Sequence, residues 1–254
     1  MADEVLIERR DRVTLLTLNR PDARNAINRA TAEALDAALT DAEADDAVWA
    51  VVLTGSGDRA FSAGMDLKAF AAGEVPFTAY GFAGITRRAF PKPLVAAVNG
   101  AALAGGFEIV ISCDLVVAAD HARFGIPEAS RGLIAGAGGL TRLAKRIPLA
   151  VALEMALTAE PVDAERAYDL GLVNRVVPGA QLLEAALGLA DRITRNAPRA
   201  VRESKRVMRE SLELSEDAAW AVNDAAFAQI GASADAMEGA VAFAEKREPN
   251  WTGA

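Results

Sequence analysis

The chain has 254 residues, 52% hydrophobic and 24% charged, enough for one large domain with a substantial core or for one domain plus an appendage. Its 27 basic against 35 acidic residues leave a formal charge of −8, which argues against general affinity for nucleic acid or an anionic membrane; an anionic ligand would need a local basic cluster. The single cysteine, Cys113, excludes an internal disulfide and fits a reducing compartment.

"VLIERR" and "VTLLTL" predict two strands joined by a short turn, and "NRPDARNAI" predicts a polar loop. "NRATAEALDAALTDAEAD" has helical spacing, with acids and alanines outward. "VWAVVLTG" is a buried strand ending at Gly55, and "SGDRAFSAGMDLKAFAAGE" is a glycine-bearing loop leading into a helix. The pattern then recurs. "PLVAAVNG" is a strand closed by Gly100, "AGGFEIVISCD" a short helix, "LVVAAD" another strand and "HARFGIPEASRGLIAGAG" a loop with four glycines. Strand–helix units of ~30–45 residues predict an α/β architecture with largely parallel strands.

Beyond Gly139, "GLTRLAKRI", "LAVALEMALTA" and "DAERAYDLG" are helical, followed by a short strand in "VNRVVP". From about Leu182 to Arg247 nearly everything reads as helix, interrupted mainly at Pro198. Trp220, Phe227, Met237 and Phe243 fall on helical spacings there, the pattern of a packing or subunit interface. The division expected is a unit of residues 1–196 and a helical one of 197–254. The opening "MADEVLIERRDR" is charged, without the apolar stretch of a signal peptide, and no run approaches the ~18 apolar residues that span a bilayer. The expected location is the cytoplasm.

Several chemistries lack their residues. One histidine, His121, leaves a Ser-His-Asp triad dependent on a single position, and "TGSGD" is not a nucleophile elbow. No CxxC or HExxH predicts a zinc site, and "GAGG" at Gly136–Gly139 is neither a dinucleotide fingerprint nor a P-loop. Carboxylates and backbone amides remain.

In "GDRAFSAGMDLK", Gly64 suits an unusual backbone angle and Asp66 a first helical turn; the same loop can instead offer a free N–H to a ligand. "GAALAGGFEIVIS" places glycines before a helix whose first N–H groups lack internal partners. Met65 and Gly105 can thus direct two N–H groups at one carbonyl oxygen, polarising a thioester or stabilising its enolate. Glu108, one turn into that helix, reads alone as an N-terminal cap. Glu128 in "FGIPEASRG" supplies a second carboxylate. From residue 105 to 112 the helix advances ~11 Å, and an antiparallel strand over 115–119 returns ~13–16 Å, so the two acids can meet. In a shielded pocket their pKa values would separate into one acid and one base.

At these residues the chain resembles the crotonase superfamily, the enoyl-CoA hydratase/isomerase family. The resemblance runs through "LNRPDARNAI", "AFSAGMDLK", "KPLVAAVNGAALAGGFE", "CDLVVAADHARFGIPEASRGLIAGAGGLTRL" and "EGAVAFAEKR", nearly the whole chain. It implies an α/β fold, a ββα spiral core with a C-terminal helical trimerisation region, commonly a hexamer built from two trimers. It implies an oxyanion hole at Met65 and Gly105 and the two hydratase glutamates at Glu108 and Glu128. It places coenzyme A contacts at Ala23 and Arg24, at Ala60, Ser62, Ala63, Asp66, Leu67 and Lys68, and at Phe243 and Lys246 of a neighbouring subunit. Lys68 and Lys246 would supply the local positive charge.

The implied activity is reversible hydration of a trans-2-enoyl-CoA to a 3-hydroxyacyl-CoA, as in fatty-acid β-oxidation, with no metal and no cofactor beyond the coenzyme A of the substrate. Ala104 stands where many hydratases have glycine, and Arg131 and Ala135 replace residues often aliphatic and proline near the acyl pocket. "FSAGMDLKAFAAGE", "GGFE" and "AFAEKREPNW" also resemble the carnitinyl-CoA dehydratase subgroup. Enoyl-CoA isomerisation by one glutamate, and a non-catalytic acyl-CoA-binding protein, are the remaining alternatives.

Overall fold

A computed structural model describes residues 3–253; Met1, Ala2 and Ala254, at the limits of the two expected units, lie outside the described residues. The expected opening hairpin forms from β1 (Val5–Arg10) and β2 (Val13–Leu18), paired antiparallel with Val5 opposite Leu18. A single-turn 3-10 helix over Pro21–Ala23 leads to α1 (Arg29–Ala44), capped by Asn28, whose side chain accepts from the Thr31 amide. Ala32, Leu35, Ala38, Leu39 and Ala42 form its buried stripe, at the three- and four-residue spacing of one helix face.

The chain then repeats a strand–strand–helix unit. β3 (Ala50–Gly55) and β4 (Ala60–Ser62) precede α2 (Leu67–Ala71). A small hairpin, β5 (Phe77–Thr78) with β6 (Gly81–Phe82), intervenes. β7 (Leu94–Val98) and β8 (Ala101–Leu103) precede α3 (Gly105–Val110). β9 (Leu115–Ala119) and β10 (Arg123–Gly125) precede a 3-10 turn, Pro127–Arg131. β3, β7 and β9 enter one sheet, of order β1-β2-β3-β7-β9-β12 with β12 at Arg175–Val177, while β4, β8 and β10 enter a second, of order β11-β10-β8-β4 with β11 at Val162–Asp163. The result is the expected spiral. β4 and β10 lie within segments read as loops, because three residues are too few to show an alternating period.

Five of the six strands in the larger sheet run parallel, from β2 through β12, and β3 and β7 are buried throughout. Both faces are covered, which explains their uninterrupted apolar runs. One face, with Leu16, Leu53 and Ala96, packs on α1, α3 and α4 (Gly139–Arg146). The other, with Leu15, Val52, Val95 and Val117, packs on Leu182, Ala186 and Ala190 of α7 (Leu182–Thr194). α5 (Leu149–Thr158), β11 (Val162–Asp163), α6 (Ala164–Asp169) and β12 (Arg175–Val177) connect α4 to α7 (Leu182–Thr194).

The C-terminal helices are α8 (Pro198–Ser211), α9 (Glu216–Gly231) and α10 (Ala234–Glu245). Besides Pro198, two more breaks divide this region, before Ser215 and Ser233, whose hydroxyls cap α9 and α10 by accepting from Ala218 and Ala236 amides. Serine in that position is a start signal even inside a helical pattern. Lys205 and Arg209 of α8 pair with Asp114 at 2.6 and 2.8 Å, fastening α8 to the end of the α3 segment. Trp220, Phe227, Met237 and Phe243 stand exposed on α9 and α10. Among the described residues no helix is long and apolar enough to cross a membrane.

Candidate active site

The segment joining β3 to β4 is pinned before the chain reaches the site. Asn25 Nδ2 donates to the carbonyls of Ser56 and Ala60, and Asn99 takes the Gly55 amide and donates to Gly57 and Ala60. Ser62, fully buried, accepts the Gly64 amide on its hydroxyl at 3.1 Å. A parallel bridge follows: Ile27 N–H donates to Gly64 and Asp66 N–H to Ile27, so Met65, between them, directs its own N–H away from this strand. That N–H has no protein acceptor among the described residues.

Gly105, the first residue of α3, likewise has an N–H that donates to no described protein group. The two loops touch at this point. A Cβ added at Gly64 would lie 2.8 Å from Gly105 N, and Gly64 has φ of +88°, where glycine is at home. The glycine pair is required by packing. A Cβ at Gly106 would lie 2.1 Å from the Ser62 carbonyl oxygen, and one at Gly105 2.6 Å from the Phe82 ring. α3 can therefore approach β4 closely.

Glu108 is 3% exposed and does not fold back as a cap. Its Oε1 instead accepts 2.7 Å hydrogen bonds from the amides of Ala137 and Gly139. Burial pushes its pKa up, while the Gly139 and Ala137 amides and the Arg142 charge pull against that rise. Glu128 sits in the 3-10 turn after β10, and its Oε2 is buried without a hydrogen-bond partner among the described residues. Its pKa is also raised, first by burial and further by the negative charge of Glu108; only its own amide opposes. The two carboxyls thus sense each other. Their surroundings differ in kind, since Glu108 has donors that favour the ionised form and Glu128 has an orphan oxygen that favours a proton. Both rise, rather than simply moving apart, because both are desolvated.

The other expected contact residues divide by role. Arg24 and Ala23 lie beside Ala63, whose amide donates to the Arg24 carbonyl at 3.0 Å, so two of the implied segments are joined. Leu67 and Lys68 are exposed at the start of α2. Asp66 caps α2 through the Lys68 and Ala69 amides and pairs with Arg20 at 3.0 Å. Burial pushes its pKa up, and the Ala69 amide and Arg20 outweigh burial to hold it below the ordinary value. Ala60 and Ser62 are buried, so their side chains shape the loop from within. Phe243 and Lys246 lie on and just after α10, both exposed.

Sequence reasoning missed the support beneath Glu108. "GAGG" matches no nucleotide motif, yet it is an anion-binding loop whose anion is the protein's own carboxylate. Gly138 has φ of +107°, and a Cβ at Gly139 would lie 3.0 Å from Glu108 Oε1. The available signal was a glycine cluster opening a helix, read without requiring a phosphate. Arg142 was missed as well; it donates to the Ala137 carbonyl, to Ser112 Oγ and to the Thr86 carbonyl, bracing the same loop.

Two backbone amides without protein acceptors among the described residues, on adjoining loops, and two desolvated carboxyls that sense each other thus lie on a ββα spiral. Residues 8–254 match the family described as enoyl-CoA hydratase/isomerase, and the chain belongs to that family. Carnitinyl-CoA dehydratase of Salmonella arizonae is 39% identical over 261 positions that cover the full length of both chains. The crystal structure of enoyl-CoA hydratase from Mycobacterium tuberculosis agrees at a TM-score of 0.97, with 48% identity over 99% of this chain and 100% of that one. That of carnitinyl-CoA hydratase from Mycobacterium avium agrees at 0.82, with 47% identity over 100% of both.

Proposed function

We propose that this protein is a hydro-lyase that adds water reversibly across the C2–C3 double bond of a trans-2-enoyl-CoA, giving a 3-hydroxyacyl-CoA. The observation that carries this reading is the unequal carboxyl pair: Glu108 held by two amides, Glu128 with a buried, unpartnered oxygen. Water attacks C3 as Glu108 takes its proton, and Glu128 gives its proton to C2. The Met65 and Gly105 amides hold the thioester oxygen while enolate charge develops, each donor contributing roughly 3–4 kcal/mol. Proton exchange from Glu108 to Glu128 after product release restores the pair. Carboxyls and amides suffice for this chemistry, so no cofactor beyond the substrate's coenzyme A is invoked.

Arg24 and Lys68 would meet the coenzyme A end, with Ala23, Ala63 and Leu67 beside them. Phe243 and Lys246 would reach the same ligand from a neighbouring copy. The exposed apolar positions on α9 and α10 support residues 197–254 as the oligomerisation region of a homotrimer, which can pair into a hexamer. Cytoplasmic fatty-acid breakdown is the setting proposed.

The carnitinyl-CoA relatives favour a second reading, the same acid–base chemistry on an acyl group bearing a trimethylammonium. Loss of the enoyl-thioester absorbance, followed with crotonyl-CoA and crotonobetainyl-CoA side by side, separates the two. A higher kcat/KM on crotonyl-CoA supports the simple enoyl substrate, and the reverse ranking supports the carnitinyl one. No turnover of either, or of longer enoyl-CoAs, overturns both.

A further inference from the structure

Arg142 lies one turn into α4, half-buried, and its guanidinium donates to three neutral groups: the Ala137 carbonyl at 3.2 Å, Ser112 Oγ at 3.3 Å and the Thr86 carbonyl. It forms no ion pair among the described residues. Two of the three acceptors lead back to Glu108. Ala137 gives its amide to Glu108 Oε1 and its carbonyl to Arg142, so one residue joins the carboxylate to the cation. Ser112, in the turn after α3, donates its hydroxyl to the Glu108 carbonyl at 2.7 Å and accepts from Arg142 on the same oxygen. The carboxyl group and the backbone of Glu108 are thus both tied to one guanidinium.

A brace needs donors, not a charge, and a desolvated charge without an ion-pair partner is costly. The charge has a use here: it favours the ionised Glu108 carboxylate, which favours the charged Arg142 in turn. The other charged groups around the pair are otherwise engaged or differently placed. Arg209 of α8 repels Arg142 but pairs with Asp114, and Arg146 of α4 donates to the Cys113 carbonyl. Glu128 acts on Glu108 from the 3-10 turn, and Glu154, the one charged residue of α5, is exposed. We propose that Arg142 is a positioning residue for the hydration reaction: by holding Ala137 and Ser112 it aims the Glu108 carboxylate, and its charge keeps that carboxylate ready to act as the base. Small misplacements of a reacting group cost large factors in rate. The role rests on the hydratase reading above and is exerted through Glu108, with no contact to the reacting carbons required.

The test compares wild type with Arg142→Gln and Arg142→Lys for kcat against pH, KM and melting temperature, on crotonyl-CoA or, if the ranking above reverses, on crotonobetainyl-CoA. Glutamine keeps a donor and loses the charge, so the acid limb of kcat should move to higher pH by about one unit. Its kcat at neutral pH should fall about 10-fold while KM stays within about 2-fold, since aim and basicity are lost rather than binding. Lysine keeps the charge without the rigid fork, so its acid limb should stay within about 0.3 units of wild type while kcat falls about 3-fold. Coincident acid limbs in wild type and the glutamine variant overturn the proposal whatever the melting temperatures, because loss of a structural brace lowers stability and leaves the limb in place. If the glutamine variant does not fold, the lysine variant decides: a lowered kcat with KM and acid limb in place upholds the proposal, and any other result overturns it. Wild type inactive on every enoyl-CoA overturns the hydratase reading and this role with it; an active wild type with an unmoved limb in the glutamine variant overturns this role alone.

Discussion

Glu108 in α3 and Gly139, thirty-one residues later at the start of α4, are joined by a 2.7 Å hydrogen bond from the Gly139 amide to the buried carboxylate. This contact, with its twin from Ala137, lets a carboxylate sit at 3% exposure with no ion pair among the described residues. It also fixes which oxygen of Glu108 stays free for chemistry, because Oε1 is already occupied.

Removing either carboxyl should stop turnover without unfolding the chain. Glu108→Gln and Glu128→Gln are each expected to lower kcat by about 10²–10⁴, the range for a positioned acid or base. Steady-state rates at saturating substrate check this, with far-ultraviolet circular dichroism confirming the fold.

The pH dependence has a defined sign. The proposed mechanism requires Glu108 ionised and Glu128 protonated, so the rate should fall on the acid side as Glu108 gains a proton and on the alkaline side as Glu128 loses one. Both limits lie above the ordinary 4.5, because burial raises both groups. They belong to the coupled pair rather than to one residue each. A profile of kcat against pH in which neither limb lies above the ordinary carboxylate range would contradict this.

Stability should move the opposite way from activity. A carboxyl whose folded pKa is raised binds its proton more tightly folded than unfolded, so folding is progressively penalised as pH rises through the folded value. Glu128→Gln, which carries no charge, should therefore melt higher than wild type at pH 8. The gap should close as pH falls toward 4.5, the ordinary value. Melting curves at both pH values read this directly.

Gly106→Ala should be severely destabilising, because its methyl would stand 2.1 Å from the Ser62 carbonyl oxygen in backbone that cannot yield cheaply. Overpacking of this kind costs about 1–3 kcal/mol, visible as a lower urea midpoint.

Much of the fold was legible because its strands and helices carry uninterrupted periods. "VWAVVLTG" and "PLVAAVNG" have no polar face, which is what a strand covered on both sides requires. β4 and β10 were hidden by their three-residue length, and they are the strands that aim the loops of Met65 and Glu128. Glu108 and Glu128 were legible as a pair. What holds Glu108 was not, since a backbone amide has no sequence signature beyond the glycines that expose it. Asp66 shows the converse, a charge in the expected contact segment whose hydrogen-bond partners, Arg20 and the α2 amides, lie within the chain itself.

Cys113 gives a test independent of catalysis. Burial pushes its thiol up to about 12, with Asp114 adding to the rise, so the reactive thiolate is absent at neutral pH. Iodoacetamide should leave the native protein unlabelled and modify it once urea unfolds the chain; mass spectrometry distinguishes the two.

The central claim is that Glu108 and Glu128 act together on water. Its most direct measurement is the rate of crotonyl-CoA hydration by wild type and by the two single glutamine variants and their double variant, followed as loss of enoyl-thioester absorbance; if crotonobetainyl-CoA proves the preferred substrate, it takes the place of crotonyl-CoA. The account predicts a fast wild type, two singles each slowed at least about 100-fold, and a double slower by much less than the product of the two. Wild-type rates in either single variant would contradict it.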